Sequence, residues 1–205
     1  MKLYVTKFSP YARLARVVLR EKGLETRINE IVAQTRVVDS PYYEINPSGR
    51  VPYLVRADGV GLEGSRLICE FLDSLDGQPV FSCGAGSKYW EFQRLDERAR
   101  SLMEGLSVWI RELIRPESDR SSAVIEHEIE RSKRLVSFWN AEIDHPIMQG
   151  TINHAQLALA CALLLEQWNP YFEWRQEHSK LERWLDPFAN RPSFAATAPP
   201  RSLLG

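Results

Sequence analysis

The sequence has little net charge and no long apolar run, and each shortage excludes a class of protein. With 205 residues and a net charge of −1, it lacks the concentrated basic face that a nucleic-acid partner requires. No apolar run reaches the length of a membrane span, and the first residues, MKLYVTKFSP, lack the apolar core of a signal peptide. We therefore expect a cytoplasmic protein with no nucleic-acid partner and no membrane partner.

Cysteine and histidine are also scarce. The three cysteines, Cys69, Cys83 and Cys161, are odd in number, widely spaced and not arranged as CxxC, which indicates reduced thiols. Cys69 and Cys161 fall in helical patterns and are expected to pack as small apolar residues. The four histidines match no spacing of zinc ligands, so the sequence predicts no metal site.

The first 76 residues alternate between β-rich runs and amphipathic runs. KLYVT and TRINEIV predict strands, and PYARLARVVLREKG, with proline at its start and glycine at its end, predicts a helix. A turn-rich segment then leaves room for a short helix. VPYLVRADGVGLEG predicts two strands, and SRLICEFLDSLDG carries the apolar stripe of a helix. In the order β-α-β-α-β-β-α, the first two strands are parallel and the closing hairpin is antiparallel.

The second half of the chain has a helical pattern. Residues 77–86, GQPVFSCGAG, read as a linker, and from Ser87 onward no segment favours a strand. Four helical segments follow: one ending near Pro116, one ending before Pro146, one capped by Thr151 with His154 three residues later, and one interrupted near Pro187. The third is apolar nearly all round and is expected to be a buried central helix. Residues 195–205 read as a loose tail.

Three motifs in this arrangement resemble the soluble glutathione transferase superfamily. INPSGRVPYLV, residues 45–55, is similar to a family segment Asn-Pro-x-Gly-x-Val-Pro with a cis Val-Pro bond. LEGSRLICEFLD, residues 62–73, is similar to the segment that opens the third helix, and FSPYARLARVVL, residues 8–19, looks like the catalytic loop of bacterial members that use serine. The resemblance covers nearly the whole chain.

This resemblance implies a fold and an activity. The fold is an α/β thioredoxin-like domain over residues 1–76, joined by the linker 77–86 to an all-helical domain over residues 87–205, usually in a homodimer. The activity is that of a detoxifying transferase, in which the thiolate of the co-substrate glutathione attacks a small hydrophobic electrophile.

The resemblance also assigns glutathione-binding roles to residues of these motifs. A cis bond before Pro52 turns the N–H and C=O of Val51 outward, where a peptide ligand can pair with them as an added strand. Arg50 stands where relatives often carry a basic residue near the glycyl carboxylate, and a plain surface arginine is an equal alternative. Ser65 can cap a helix whose first N–H groups and dipole attract the γ-glutamyl carboxylate.

One position departs from the family pattern. Many relatives carry Glu or Asp directly before this serine, where the acid helps to hold the cationic amino group of glutathione, but this chain has Gly64. Glu63, one residue earlier, points to the opposite face of an extended strand unless a bend at Gly64 redirects it. Because a lost charge-assisted contact costs about 1.5–3 kcal/mol, we expect weaker glutathione binding or a different ligand.

Ser9 is the predicted catalytic residue. A thiol with a pKa of about 8.5 carries little thiolate at neutral pH; a hydroxyl that donates to sulfur, and the positive end of the helix starting at Pro10, both lower that pKa. A serine before Pro10 is also an ideal N-cap, so a purely structural role is the alternative. Tyr4 and Tyr11 are alternative hydroxyls, although the position of Tyr4 within a strand favours packing.

Two further expectations concern the electrophile and the reaction. The candidate walls of an electrophile pocket between the domains are Phe8, Tyr11, Met103, Leu106, Trp109 and also Trp168, although aromatic residues at helical spacing more often form a core. Because residue 9 is not cysteine, it cannot form a mixed disulfide with glutathione. Two other functions stay open: a different glutathione-dependent reaction (isomerisation, dehalogenation or peroxide reduction), and a non-catalytic binding or regulatory protein, which Gly64 favours.

Overall fold

The computed structural model describes residues 1–83 and 86–200. Residues 84 and 85 of the predicted linker and residues 201–205 of the predicted tail lie outside the described residues. The chain divides into two units. The first contains Met1–Ser82 and Ala196–Pro199, and the second contains Cys83–Ala195 and Pro200–Gly205. The division between Ser82 and Cys83 lies inside the segment interpreted as a linker.

A four-stranded mixed sheet forms the centre of the first unit. Its strands are β1 (Lys2–Val5), β2 (Asn29–Val32), β3 (Tyr53–Val55) and β4 (Gly61–Glu63), in the spatial order β2-β1-β3-β4. β1 and β2 are parallel, whereas β1 with β3 and β3 with β4 are antiparallel. The predicted thioredoxin-like arrangement is confirmed, with one helix in the connection that two parallel neighbours require.

The first unit contains three helices, and the first of them begins and ends at proline and glycine signals in the sequence. They are α1 (Pro10–Glu21), α2 (Tyr42–Ile45) and α3 (Ser65–Ser74). Proline is the first residue of α1, and Gly23 follows its end with a φ of +61°, a conformation that glycine adopts without steric cost. α1 and α3 pack against each other, and both contain fully buried side chains such as Val17, Ile68 and Leu72, each contributing about 1.5–3 kcal/mol.

The described part of the chain after the linker contains only helical secondary structure, as predicted. The helices are α4 (Tyr89–Leu113), α5 (Ser122–Glu142), α6 (Pro146–Gln149), α7 (His154–Leu163), α8 (Ser179–Ala189) and α9 (Pro192–Ala196). All ten residues of α7 are buried, which confirms the expected central helix. In the second unit α4 packs on both α5 and α7.

Two expectations for these helices are wrong. The cap of α7 is Asn153, not Thr151: its Oδ1 accepts from the N–H of Gln156 at 3.1 Å, and the Gln156 side chain accepts from the Asn153 N–H at 3.0 Å. This reciprocal pair satisfies two main-chain donors at once. His154 is the first helical residue, so it does not stand at the third helical position from which a side chain reaches back to the cap. α8 continues through Pro187 to Ala189; the proline removes one main-chain donor but does not end the helix.

An ion-pair cluster connects α1 to β2. Glu30 accepts from the Arg16 Nε at 2.7 Å and also pairs with the Arg20 guanidinium. Burial raises the pKa of Glu30, but the hydrogen bonds and charges of Arg20 and Arg16 outweigh burial and hold that pKa below its ordinary value.

We expect this cluster to make stability depend on pH in the acid range. Because the folded-state pKa of Glu30 is depressed, its contribution is present above the ordinary glutamate pKa of about 4.3 and is lost as the pH falls through the lower folded value. Thermal unfolding of the wild type and of Glu30→Gln, followed between about pH 7 and pH 3, should show a shallower acid dependence in the variant. The exposed Glu25→Gln is the control; an identical acid dependence in all three proteins would contradict the assignment.

Asp73 fixes the end of the first unit. This α3 carboxylate is fully buried and accepts from the N–H groups of Val80 and Phe81, each at 3.0 Å, and of Ser82 at 3.1 Å. The Lys22 Nζ lies 3.4 Å from the same carboxylate. Three consecutive main-chain donors therefore share one side chain as their acceptor, and the bond from the Phe81 N–H is buried, where a donor needs a partner.

Asp73→Asn should lower the free energy of unfolding by about 1–3 kcal/mol, because the amide nitrogen cannot accept and leaves at least one of these N–H groups without its acceptor. Urea unfolding monitored by circular dichroism measures the loss. Asp76→Asn is a matched control, since Asp76 also pairs with Lys22, at 2.8 Å, but is exposed. Equal midpoints for the two variants would exclude the proposed role of Asp73.

Candidate functional site

The segment from Asn46 to Pro52 forms a loop that leads into β3. The Asn46 side chain is buried; its Oδ1 accepts from the Ser48 N–H at 3.2 Å, and its Nδ2 donates to the Arg50 carbonyl at 2.9 Å. The Tyr42 hydroxyl donates to the same carbonyl at 2.5 Å. Burial raises the pKa of Tyr42, so this hydroxyl keeps its proton and remains a donor at neutral pH.

Gly49 is required by the shape of this loop. Its φ is +65°, and a Cβ at this position would lie 2.7 Å from a ring carbon of Tyr43. Any other residue would have to adopt this unfavourable backbone angle, and its Cβ would lie too close to the Tyr43 ring. The shape of the loop from Asn46 to Pro52 therefore depends on glycine at position 49.

Val51 presents main-chain groups at the start of β3. The Val51–Pro52 peptide bond is cis; Pro52 is buried and Val51 is half-buried. Sheet pairing of this strand begins at Tyr53, and within the described residues no main-chain hydrogen bond reaches the Val51 N–H or C=O. These two groups are therefore available to pair with a peptide ligand. Arg50, directly before them, has an exposed side chain.

The start of α3 has a glycine where a capping side chain would stand. Gly64 is the N-cap residue, with a φ of +94°, and Ser65 is the first helical residue. Because Gly64 has no side chain to cap the helix, the first-turn N–H groups depend on other acceptors. A Cβ at Gly64 would meet no atom within 4 Å, so space is open there although the backbone angle is unfavourable for other residues.

Glu63 is directed to the loop and lies beside Gly64 in sequence. Its Oε1 accepts from the Ser48 Oγ at 2.6 Å. The Ser48 hydroxyl in turn accepts from the Arg50 N–H at 3.2 Å. Sequence reasoning missed this contact, and the signal available for it was a serine in the loop and an acid at the end of the hairpin.

Ser9 is the N-cap of α1. Its Oγ accepts from the Ala12 N–H at 3.2 Å, and its carbonyl accepts from the Arg13 N–H at 2.8 Å. The cap uses a lone pair of the hydroxyl, so its proton can still be donated to another acceptor. Capping and a chemical role are thus compatible.

The two alternative tyrosines differ in their surroundings. Tyr4 is 8% exposed and packs against Tyr42, with ring centroids 5.5 Å apart, in a cluster on the sheet that includes Ala33. Tyr11 is half-buried in the first turn of α1. Tyr4 therefore packs, as its strand position favoured, whereas Tyr11 remains a candidate hydroxyl.

Sheet register brings the three motifs to one end of the first unit. Tyr4 in β1 pairs with Tyr53 in β3, and Tyr53 pairs with Glu63 in β4. The chain therefore leaves β1 toward Ser9, enters β3 from Val51 and leaves β4 toward Ser65 at the same edge of the sheet. No sequence pattern alone specifies this pairing.

The residues predicted to line an electrophile pocket belong to different units. Phe8 is 38% exposed and lies with Tyr11 in the first unit. Met103, Leu106 and Trp109 lie on α4, in the second unit, and are each at most 2% exposed. Within that unit the Trp109 ring contacts Phe172 edge-on, with centroids 6.4 Å apart, and Trp168 donates to the Pro200 carbonyl. The pocket itself stays a prediction.

A separate surface depression of about 620 Å³ lies where α1 ends and β2 begins. It is lined by Met1, Leu19, Arg20, Glu25, Thr26, Arg27, Ile28, Asn29 and Glu30. None of these is a predicted site residue, and the Arg20 and Glu30 charges already pair with each other. Its size therefore does not make it the better candidate for chemistry.

The described residues form neither a metal-binding cluster nor a membrane-spanning helix. Within residues 1–83 and 86–200, no group of three or more His, Cys, Asp or Glu side chains is placed to hold a metal ion. The three cysteines are in no disulfide bond in these ranges; Cys69 and Cys161 are buried, and Cys83 is half-buried. None of the helices in the described ranges combines the length and apolarity needed to cross a membrane.

Comparison with known proteins agrees with this geometry. Residues 3–80 match the family model of the glutathione S-transferase N-terminal domain. Over 205 residues the chain is 26% identical to the uncharacterised GST-like protein YibF of Escherichia coli, covering 98% of this chain and 100% of that protein. A stringent starvation protein A homologue of Pasteurella multocida is 40% identical, but over only 36% of this chain and 33% of its own length.

Solved structures give the same answer over nearly the full length. A glutathione transferase family member from Pseudomonas fluorescens Pf-5 with bound glutathione is 28% identical, with a TM-score of 0.87 over 97% of this chain and 98% of that one. A glutathione S-transferase from Methylobacillus flagellatus with glutathione bound is 27% identical, with a TM-score of 0.86 over 97% and 99%. Taken with the mixed sheet and the helical second unit, these matches show that residues 3–80 form a glutathione S-transferase N-terminal domain and that the chain has the fold of glutathione transferases.

Proposed function

We propose that this protein is a glutathione transferase-like enzyme, in which the thiolate of glutathione attacks a small hydrophobic electrophile. The observation that carries the proposal is the convergence of Ser9, Val51 and Ser65 at one edge of the sheet. The presence of glutathione in two solved structures of similar fold and 27–28% identity supports the same ligand.

Glutathione is a tripeptide, and each of its parts has a proposed partner. Its main chain pairs with the N–H and C=O of Val51, next to Pro52, in the manner of an added strand. Its γ-glutamyl carboxylate lies at the positive end of α3, at Ser65. The exposed Arg50 side chain is the candidate partner of the glycyl carboxylate.

The proposed chemistry depends on the hydroxyl of Ser9. The Ser9 O–H donates a hydrogen bond to the glutathione sulfur, while its Oγ still accepts from the Ala12 N–H at 3.2 Å. The positive end of α1 adds to the stabilisation of the thiolate. The thiolate forms a carbon–sulfur bond with the electrophile, and the leaving group departs with the electron pair of the bond that breaks. Phe8 and Tyr11, on the same unit as Ser9, are the proposed apolar contacts of the electrophile.

The setting of this activity is part of the proposal. The usual state of the superfamily is a homodimer, and detoxification of electrophiles in the cytoplasm is the role that this reaction serves. Another glutathione-dependent reaction, such as isomerisation, dehalogenation or peroxide reduction, would use the same bound thiolate.

A non-catalytic glutathione transferase-fold protein is the second candidate. Gly64 favours it, because no carboxylate stands at the position that holds the amino group of glutathione in many relatives. In this proposal Glu63 does not replace that carboxylate, because its Oε1 is directed to the loop, where it accepts from Ser48 at 2.6 Å. A protein that binds glutathione weakly or not at all would keep the fold without the reaction.

Substitutions of Ser9 separate capping from catalysis. Ser9→Ala should lower kcat/KM for conjugation of glutathione to an aromatic halide by about tenfold or more, because a thiol pKa raised by about one unit leaves about ten times less thiolate. Ser9→Asp keeps the cap acceptor but places a negative charge at the sulfur, and should retain the melting temperature while losing activity. The pH profile of kcat/KM measures the thiol pKa in each variant.

The matched control for the Ser9 variants is Ser121→Ala. Ser121 caps α5 in the same way, accepting from the Val124 N–H at 3.3 Å. Both alanine variants should lose about 1 kcal/mol of stability, but only Ser9→Ala should lose activity. Equal rates in the two variants would remove Ser9 from the mechanism.

Substitutions of Gly64 test the missing carboxylate. Gly64→Glu should tighten glutathione binding by about tenfold or more, because it adds a charge-assisted contact to the amino group. The positive φ should cost about 1–2 kcal/mol of stability. Titration calorimetry measures the dissociation constant, and Gly64→Gln is the control because it brings the same strain and size without the charge. If Gly64→Glu binds glutathione no more tightly than Gly64→Gln, the carboxylate has no such role here.

A further inference from the structure

The Ser48 hydroxyl connects a carboxylate to the main chain beside the proposed ligand edge. It donates its single proton to the Glu63 Oε1 at 2.6 Å, and it accepts from the Arg50 N–H at 3.2 Å. Because the proton is committed to the carboxylate, a lone pair is left facing the N–H of Arg50. The carboxylate thereby sets the orientation of the hydroxyl that holds this N–H.

The same residue is held on its other side by buried donors. The Arg50 carbonyl accepts from the Tyr42 hydroxyl at 2.5 Å and from the Asn46 Nδ2 at 2.9 Å. The planar peptide between Arg50 and Val51 contains that carbonyl and the Val51 N–H. A carbonyl fixed in direction therefore fixes the direction of the Val51 N–H, and the preceding peptide plane is fixed through Ser48.

Glu63 also stands between the two main-chain elements that the proposed ligand would contact. It is the last residue of β4, pairs in register with Tyr53 of β3, and precedes Gly64 and Ser65. Its contact with Ser48 spans 15 residues of sequence. The carboxylate therefore connects the loop before Val51 to the start of α3.

We propose that Glu63 is a positioning residue for ligand binding, acting through the Ser48 hydroxyl on the main chain at Arg50 and Val51. The binding part of this inference rests on the proposed function, with glutathione as the ligand. The acid next to Gly64 serves the loop and does not contact the ligand itself. It sets the geometry of the two main-chain elements before the ligand arrives, which reduces the ordering needed on binding.

This role makes a different prediction from direct contact with a cationic ligand group. A carbonyl oxygen of glutamine can accept from Ser48 as the carboxylate does, but it brings no negative charge. Glu63→Gln should therefore keep the glutathione dissociation constant within about threefold of wild type, whereas Glu63→Ala should raise it by about tenfold. Direct contact would make the two variants equally weak.

The double variant tests whether Ser48 transmits the effect. Ser48→Ala should raise the dissociation constant as much as Glu63→Ala, and Glu63→Ala with Ser48→Ala should be no weaker than either alone, because the residues act as one unit. Asp58→Ala is the matched control, since Asp58 is an exposed acid of the same hairpin that accepts from the Val60 N–H and pairs with Arg56. Its dissociation constant should equal that of wild type.

Amide hydrogen exchange of the ligand-free protein provides a readout that does not need glutathione. The Arg50 N–H should exchange about tenfold faster in Glu63→Ala and Ser48→Ala, and at the wild-type rate in Glu63→Gln and Asp58→Ala. Melting temperatures of all variants, measured in parallel, identify any general loss of stability.

The two measurements distinguish failure of this inference from failure of the proposed function. If wild type does not bind glutathione, the proposed function fails. The exchange rate of the Arg50 N–H then tests, without a ligand, whether Glu63 positions the loop. An unchanged Arg50 exchange rate in Glu63→Ala would overturn the inference whatever the binding result. So would additive effects in the double variant, or a Glu63→Gln variant as weak as Glu63→Ala.

Discussion

The carbonyl of Arg50, held by the Tyr42 hydroxyl and the Asn46 amide, is the contact on which the candidate site depends. It lies in the same peptide plane as the Val51 N–H, one of the two main-chain groups proposed to pair with a tripeptide, so it sets the direction of that N–H. Tyr42 is itself fixed by packing against Tyr4 in the sheet. Hydrophobic packing thus positions two donors, these fix one carbonyl, and that carbonyl orients the Val51 N–H, where ligand binding is proposed.

Much of the fold of the first unit follows from local signals. Pro10 and Gly23 mark the ends of α1 because one fixes φ and the other adopts a positive φ. The glycine of the hairpin turn, Gly59, has a φ of +84°, and alternation of apolar residues determines which face of each strand is buried. The ligand role proposed for the motif from Asn46 to Pro52 comes from its resemblance to a glutathione transferase segment and not from local signals.

The rest depends on contacts that sequence periodicity does not encode. The bond between Ser48 and Glu63 requires the β3–β4 register, and the cap of α7 required a choice between Thr151 and Asn153 that only the partner Gln156 decides. Met103, Leu106 and Trp109 show the same limit: a helical stripe of large side chains is equally consistent with a core and with a substrate contact. The sequence predicts that these side chains are buried, but not whether they only form a core or also contact a substrate.

Ser9 illustrates how one atom can restrict a position during evolution. A lone pair of its oxygen accepts from an N–H at the start of α1, and the proton remains as the one hydrogen-bond donor of the hydroxyl. A replacement at residue 9 must both accept and donate, which few short side chains do. A lineage that replaced Ser9 with a residue lacking an acceptor, such as alanine, would lose the helix cap and the proposed contact with the thiol in the same step, whereas aspartate would keep the cap and lose only the donor.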